Sequence, residues 1–239
     1  MQFKQPGPWL FAVGMVALGL AVLALAWLPS RPMAPGVWMI PPIVLVLAGA
    51  GLLVRRTSAV SGVVLVVYWL AWMVLDHVPD LIAEPGAFHL WVSAAKALTF
   101  ATVAAAFVRA RLWPVARMVF GATLLLFGAV HTFFPGVVAD LLPDWFPIPG
   151  VWPYLSGGVQ IAAGLMILLG FRAPAAAFAI GLMWLSWVPL VHLPRLISAP
   201  DALFEWTFMI TALALAGAAW SVGERIAPRS GEDLQPSVR

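Results

Sequence analysis

Eight apolar runs, at about residues 9–28, 37–54, 59–77, 91–108, 118–138, 151–170, 174–192 and 205–222, leave this chain little choice of solvent. A helix needs about 20 apolar residues to cross the roughly 30 Å hydrocarbon layer of a bilayer. The runs approach that length and are rich in Leu, Ala and Val without period-two alternation, which predicts helices rather than strands. Only 10% of residues are charged and 63% are hydrophobic, whereas a soluble domain carries about 25% charged residues. The expected class is therefore an all-α integral membrane protein with eight transmembrane helices. Lys4, the apolar run from Trp9 and Ala24-Leu25-Ala26 have the look of a cleaved leader, but the repeat described below gives this segment a structural counterpart.

Charge placement sets the expected orientation. One set of loops holds Lys4, Arg55, Arg56, Arg109, Arg111, Arg117, Arg172, Arg225, Arg229 and Arg239, and the opposite set holds only Arg31 and Arg195. Short loops rich in Lys and Arg stay in the cytoplasm, so both termini are expected inside, in the cytoplasmic (inner) membrane of a bacterium. The acids Asp76, Asp80, Glu84, Asp140, Asp144, Asp201 and Glu205 fall on or near the outer side. Because the basic residues are dispersed singly, the net charge of +3 is no sign of nucleic-acid binding. The chain has no Cys, which excludes disulfides, thiolate metal sites and Cys nucleophiles.

The segment YWLAWMVLDHVPDLIAEPGAFHLW at 68–91 returns as MWLSWVPLVHLPRLISAPDALFEW at 183–206. Eleven of the 23 pairs from 69 to 91 are identical at a shift of 115, among them Trp69/Trp184, Trp72/Trp187, His77/His192, Pro79/Pro194 and Trp91/Trp206. Gly36-Val37-Trp38 matches Gly150-Val151-Trp152 at a shift of 114, and Pro29/Pro143 lies on the same diagonal. Two repeats are read, 1–112 and 113–222, followed by a polar tail at 223–239 without fixed structure. Four spans in each repeat give both the same orientation, a parallel repeat about an axis along the membrane normal. His77 and His192 then lie at equal depth at the outer ends of their helices, each before a Pro expected to end the helix.

The second half, about 118–222, resembles the DoxX-like family of small four-helix membrane proteins. The resemblance rests on His131-Thr132-Phe133-Phe134-Pro135, Leu142-Pro143-Asp144, Pro147-Ile148-Pro149, Tyr154-Leu155-Ser156-Gly157-Gly158, and Gly164-Leu165 with Arg172. The first half has Ala17 where the second has His131, so the chain looks like a fused, diverged pair of such units. The resemblance implies a setting near quinol-oxidising or sulfur-redox systems, with a quinone as the suspected cofactor. Similar-looking four-helix folds include sterol-isomerising and receptor-assembly proteins.

The residues expected to carry chemistry are His77, His192, His131, Asp76 and Lys96. His77 and His192 have a structural alternative, since a histidine in the last turn of a helix satisfies carbonyls and favours the dipole. His131 and Lys96 lie within spans, where ionisable groups are costly and mark function or a buried partner. Asp76 is the expected partner of Lys96, because Val191 and Thr211 replace the two together in the second half; Glu205 is the alternative. Trp69, Trp72, Trp184, Trp187 and Tyr68 are expected to line an aromatic pocket for a flat lipophilic ligand. Ser156 and Gln160 read as helix-bridging polar groups. No H-x-x-H, H-x-x-x-H or E-x-x-H spacing occurs, so no metal site is assigned. Three functions remain open: binding of a quinone or isoprenoid-like lipid in an outer-leaflet pocket, acid–base chemistry on a lipid, or a non-catalytic role beside a membrane protein partner.

Overall fold

The computed structural model describes residues 5–26 and 39–226. Every regular element there is helical: α1 (Pro6–Ala26), α2 (Ile40–Leu52), α3 (Ser58–Trp72), α4 (Val78–Ala83), α5 (Phe88–Val108), α6 (Trp113–Phe133), α7 (Pro135–Ala139), α8 (Trp152–Leu169), α9 (Ala173–Trp187), α10 (Leu193–Ser198) and α11 (Leu203–Ile226). A π segment, Met73–His77, joins α3 to α4, and another, Val188–His192, joins α9 to α10. Among the described residues, 7 helical segments are long and apolar enough to cross a membrane. The second expected span is shorter, since α2 has 13 residues and rises only about 20 Å. The first anchor of the repeat, Gly36-Val37-Trp38, lies outside the described residues, as do Pro29 and 227–239.

Packing follows chain order. α1 lies on α2, α2 on α3, α3 on α5, α5 on α6, α6 on α8, α8 on α9 and α9 on α11, which returns to α1; α5 and α11 also touch. Small residues bring the closest pairs together. A Cβ on Gly157 would meet Thr132 Oγ1, the Gly128 carbonyl and His131 Cβ, and one on Gly164 would meet the Gly121 carbonyl. Heptad-spaced glycines on α6 and α8 therefore set those two backbones against each other. The hydroxyls of Thr99 on α5 and Thr123 on α6 share a buried 2.9 Å hydrogen bond.

The repeated segment folds alike in both places. Met73 and Val188, like His77 and His192, are 115 positions apart. Pro79 and Pro194 were expected to end their helices, and that expectation is corrected: each chain continues as a helix, to Ala83 and to Ser198. A proline lacks the N–H for the bond to residue i−4, and its ring crowds that carbonyl. The wider π turn just before it takes up the crowding, with the Val78 N–H donating to the Met73 carbonyl and the Leu193 N–H to the Val188 carbonyl. The turns after α4 and α10 close identically as well. Trp91 Nε1 donates to the Pro85 carbonyl at 2.9 Å, and Trp206 Nε1 to the Pro200 carbonyl at 2.8 Å.

Two expected boundaries move. The run read as 118–138 breaks at Phe134 (φ −126, ψ 55), where Pro135 forces the preceding residue out of the helical region. The boundary read at 223 is corrected, because α11 extends to Ile226 with Gly223 buried. Glu224 Oε1 there accepts the Gly7 N–H at 2.9 Å. That carboxylate satisfies a free donor in the first turn of α1, the end of a helix that favours negative charge.

Candidate functional site

The π turn places Asp76 and His77 side by side, with His77 Nδ1 3.0 Å from Asp76 Oδ2. The expected Asp76–Lys96 ion pair is therefore corrected: the carboxylate goes to its sequence neighbour, and no carboxylate lies within ion-pair distance of Lys96 among the described residues. Lys96 instead holds Nζ over the ring of Phe208, 5.8 Å from its centroid. Phe208 belongs to α11 and Lys96 to α5, so this contact crosses the seam between the two halves. The His192 ring lies 6.4 Å from the same Phe208 ring. Phe208 is thus the shared neighbour of Lys96 and His192, and Lys96 is near enough to His77 to act on it electrostatically.

Glu205, the alternative partner of Lys96, is held elsewhere. Arg195 donates to both its carboxylate oxygens, Nη2 to Oε1 at 2.6 Å and Nε to Oε2 at 2.9 Å. Arg195 Nη1 also reaches the carbonyls of Asp140 and Leu141 at 3.3 and 3.4 Å. This side-on fork ties the α10–α11 turn to the loop before α8. The first half has Asp80 and Leu90 at the matching positions, so the fork belongs to the second half alone.

His131 sits apart from this seam. Its Nδ1–H donates to the Phe127 carbonyl at 2.7 Å, and its ring lies 5.9 Å from Trp187 at an angle of 32°. The expected single aromatic pocket resolves into two groups, one in each half. Tyr68 packs on Trp69 and Trp72, at 5.1 and 6.4 Å, and Trp69 packs on Phe100 at 5.0 Å. Trp184, 4% exposed, packs on Phe120 and Phe127, at 6.0 and 6.2 Å. Side-chain direction follows from helix rotation, which the sequence does not encode locally, and so the spacing W-x-x-W did not reveal this split.

Gln160 on α8 is the polar group whose importance the sequence understates. It is fully buried, at 0% exposure, and neither Oε1 nor Nε2 has a hydrogen-bond partner. Its neighbour one turn earlier, Ser156, is by contrast satisfied by the Trp152 carbonyl at 2.7 Å. The signal available was the repeat itself, since Leu45, Ala48, Gly49 and Leu52 align at a shift of 115 with Gln160, Ala163, Gly164 and Ile167. All eight are buried. No three His, Asp or Glu residues group closely enough for a metal ion among the described residues. No protein-family model, curated protein or solved structure matches the chain.

Proposed function

We propose that this chain is an integral membrane protein that binds a lipophilic small molecule, quinone or isoprenoid-like, with its polar end at the outer-leaflet seam between the two halves. The observation that carries this reading is Lys96: an ammonium within an apolar span, without a carboxylate partner among the described residues, resting on Phe208 from the other half, whose ring His192 also borders, with His77 within electrostatic reach. A charge at that depth is stabilised by an acceptor, and a ligand oxygen supplies one. Asp76 fixes the His77 ring through Nδ1, which leaves Nε2 to exchange a proton with the ligand. His192 borders the same ring from the opposite repeat.

The proposal includes the layout around the site: eight spans as two parallel four-helix repeats, both termini cytoplasmic, in a bacterial inner membrane. The coincident π segments and the matching Trp–Pro hydrogen bonds support the repeat. Dispersal of the basic residues supports the orientation. A DoxX-like ancestry of the fused units is supported by the motifs from His131 to Arg172 alone.

The test is mass spectrometry of small molecules that co-purify in native-lipid nanodiscs, comparing wild type with Lys96→Met and with the double variant His77→Ala/His192→Ala. A quinone or isoprenoid present in wild type and depleted in both variants is the expected result. Bulk phospholipid alone in all three overturns the reading. The 3.0 Å Asp76–His77 pair favours a second reading, acid–base chemistry on the bound lipid. In that case Asp76→Asn keeps the ligand and leaves it unconverted, because the imidazole loses the group that sets its tautomer.

A further inference from the structure

We infer that the second half contains a separate binding slot between α6, α8 and α9 for a flat, neutral lipophilic molecule whose ring carries a hydroxyl or carbonyl, read by the Gln160 amide. A buried carboxamide with both atoms unpaired bears its desolvation cost without return. At a shift of 115 the first half has Leu45 in its place, 1% exposed and part of that half's own buried stripe. Gly49 abuts Met15 and Val16 of α1, and Gly164 abuts Gly121 and Leu124 of α6, so each stripe packs on the first long helix of its own half. At that aligned position one half carries an apolar residue and the other a donor–acceptor pair.

The surroundings match a flat ring with one polar substituent. Helical side chains lean toward the N-terminus of their helix, which carries the Gln160 amide toward the level of Ser156 and Gly157. Gly157 there abuts His131 and Thr132. The Ser156 and Thr132 hydroxyls are engaged by carbonyls of their own helices, Trp152 and Gly128, at 2.7 and 2.8 Å. His131 Nδ1 is engaged by Phe127. What stays free is the Gln160 amide and His131 Nε2; the Trp187 ring lies beside His131, and Phe127, whose carbonyl holds His131, packs on Trp184. His131, opposite Ala17 at a shift of 114, and Gln160, opposite Leu45 at a shift of 115, put both polar groups in the second half. The slot is closed in this structure, with Gln160 fully buried. Trp187 and His131, both half-buried, are the side chains that entry displaces, and the π segment that begins at Val188 gives Trp187 slack.

The experiment measures thermal unfolding in nanodiscs with an alkyl naphthol and with the alkyl naphthalene of the same chain length, which differ by one hydroxyl. Wild type is expected to gain several degrees from the naphthol and much less from the naphthalene. Gln160→Leu, which installs the first half's residue, is expected to be at least as stable as wild type without ligand and to respond equally to both compounds. Gln160→Met serves if the Leu variant folds poorly. Lys96→Met is expected to keep the naphthol response, which separates this slot from the seam. An undiminished preference for naphthol in Gln160→Leu, or no preference in wild type, overturns the inference; in the latter case the amide holds a buried water only.

Discussion

Arg195 and Glu205 are the residues whose pairing most clearly distinguishes the halves. Glu205 is 8% exposed, and the guanidinium fork supplies the hydrogen bonds of its carboxylate. Arg195→Ala leaves a buried carboxylate facing no cation and frees two carbonyls, and removal of one partner of such a pair costs on the order of 3 kcal/mol. Thermal unfolding in detergent is expected to show a clear fall for Arg195→Ala and little change for Asp80→Ala, its exposed counterpart in the first half. At this scale the sequence did not disclose which residues meet. Asp76 and Lys96 were expected to pair because both vanish together in the second repeat. The local π turn instead brings Asp76 to His77, and rotation of α5 turns Lys96 toward Phe208. Arg195 and Glu205 lie ten positions apart across a turn, a spacing with no helical periodicity to announce the contact.

At the scale of elements, α6 and α8 show how small residues set a helix pair. Gly157 lies in the contact, where an added Cβ would fall within 3.0 Å of atoms of Gly128, Thr132 and His131, whereas Gly158, the next residue, has nothing within 4 Å. Gly157→Ile must push two backbones apart, and overpacking of this kind costs about 1–3 kcal/mol or more. Gly158→Ile faces lipid and is expected to unfold at the wild-type temperature. A similar loss for both variants, measured by thermal unfolding, contradicts this packing. Helix existence was legible from run length, and the paired Trp, His and Pro positions disclosed that α3 and α9 are counterparts. The π segments were not legible, since a proline in sequence reads as a stop. Only the continuation to Ala83 and Ser198 shows that the helix absorbs Pro79 and Pro194 by widening one turn.

At the scale of the whole molecule, the first and last helices pack on each other while α5 packs on α6, so each repeat shares its surface with the other. The seam that holds Lys96, Phe208 and His192 exists only when both are present. This arrangement makes a definite claim about sidedness. Gly86, in the turn after α4, and Asp201, in the turn after α10, are 115 positions apart and exposed. An even number of spans between them puts both on one side of the membrane, which in the proposed orientation is the outside. Arg56, in the exposed turn between α2 and α3, is then inside. Because the chain has no Cys, single cysteines at these places report without background. Gly86→Cys and Asp201→Cys are expected to react with a membrane-impermeant maleimide in intact cells, and Arg56→Cys only after the membrane is opened. Labelling of Gly86→Cys and Asp201→Cys from opposite sides defeats the parallel repeat and separates His77 from His192. Protection of both, with Arg56→Cys exposed, keeps the repeat but inverts the protein and moves the seam to the cytoplasmic leaflet.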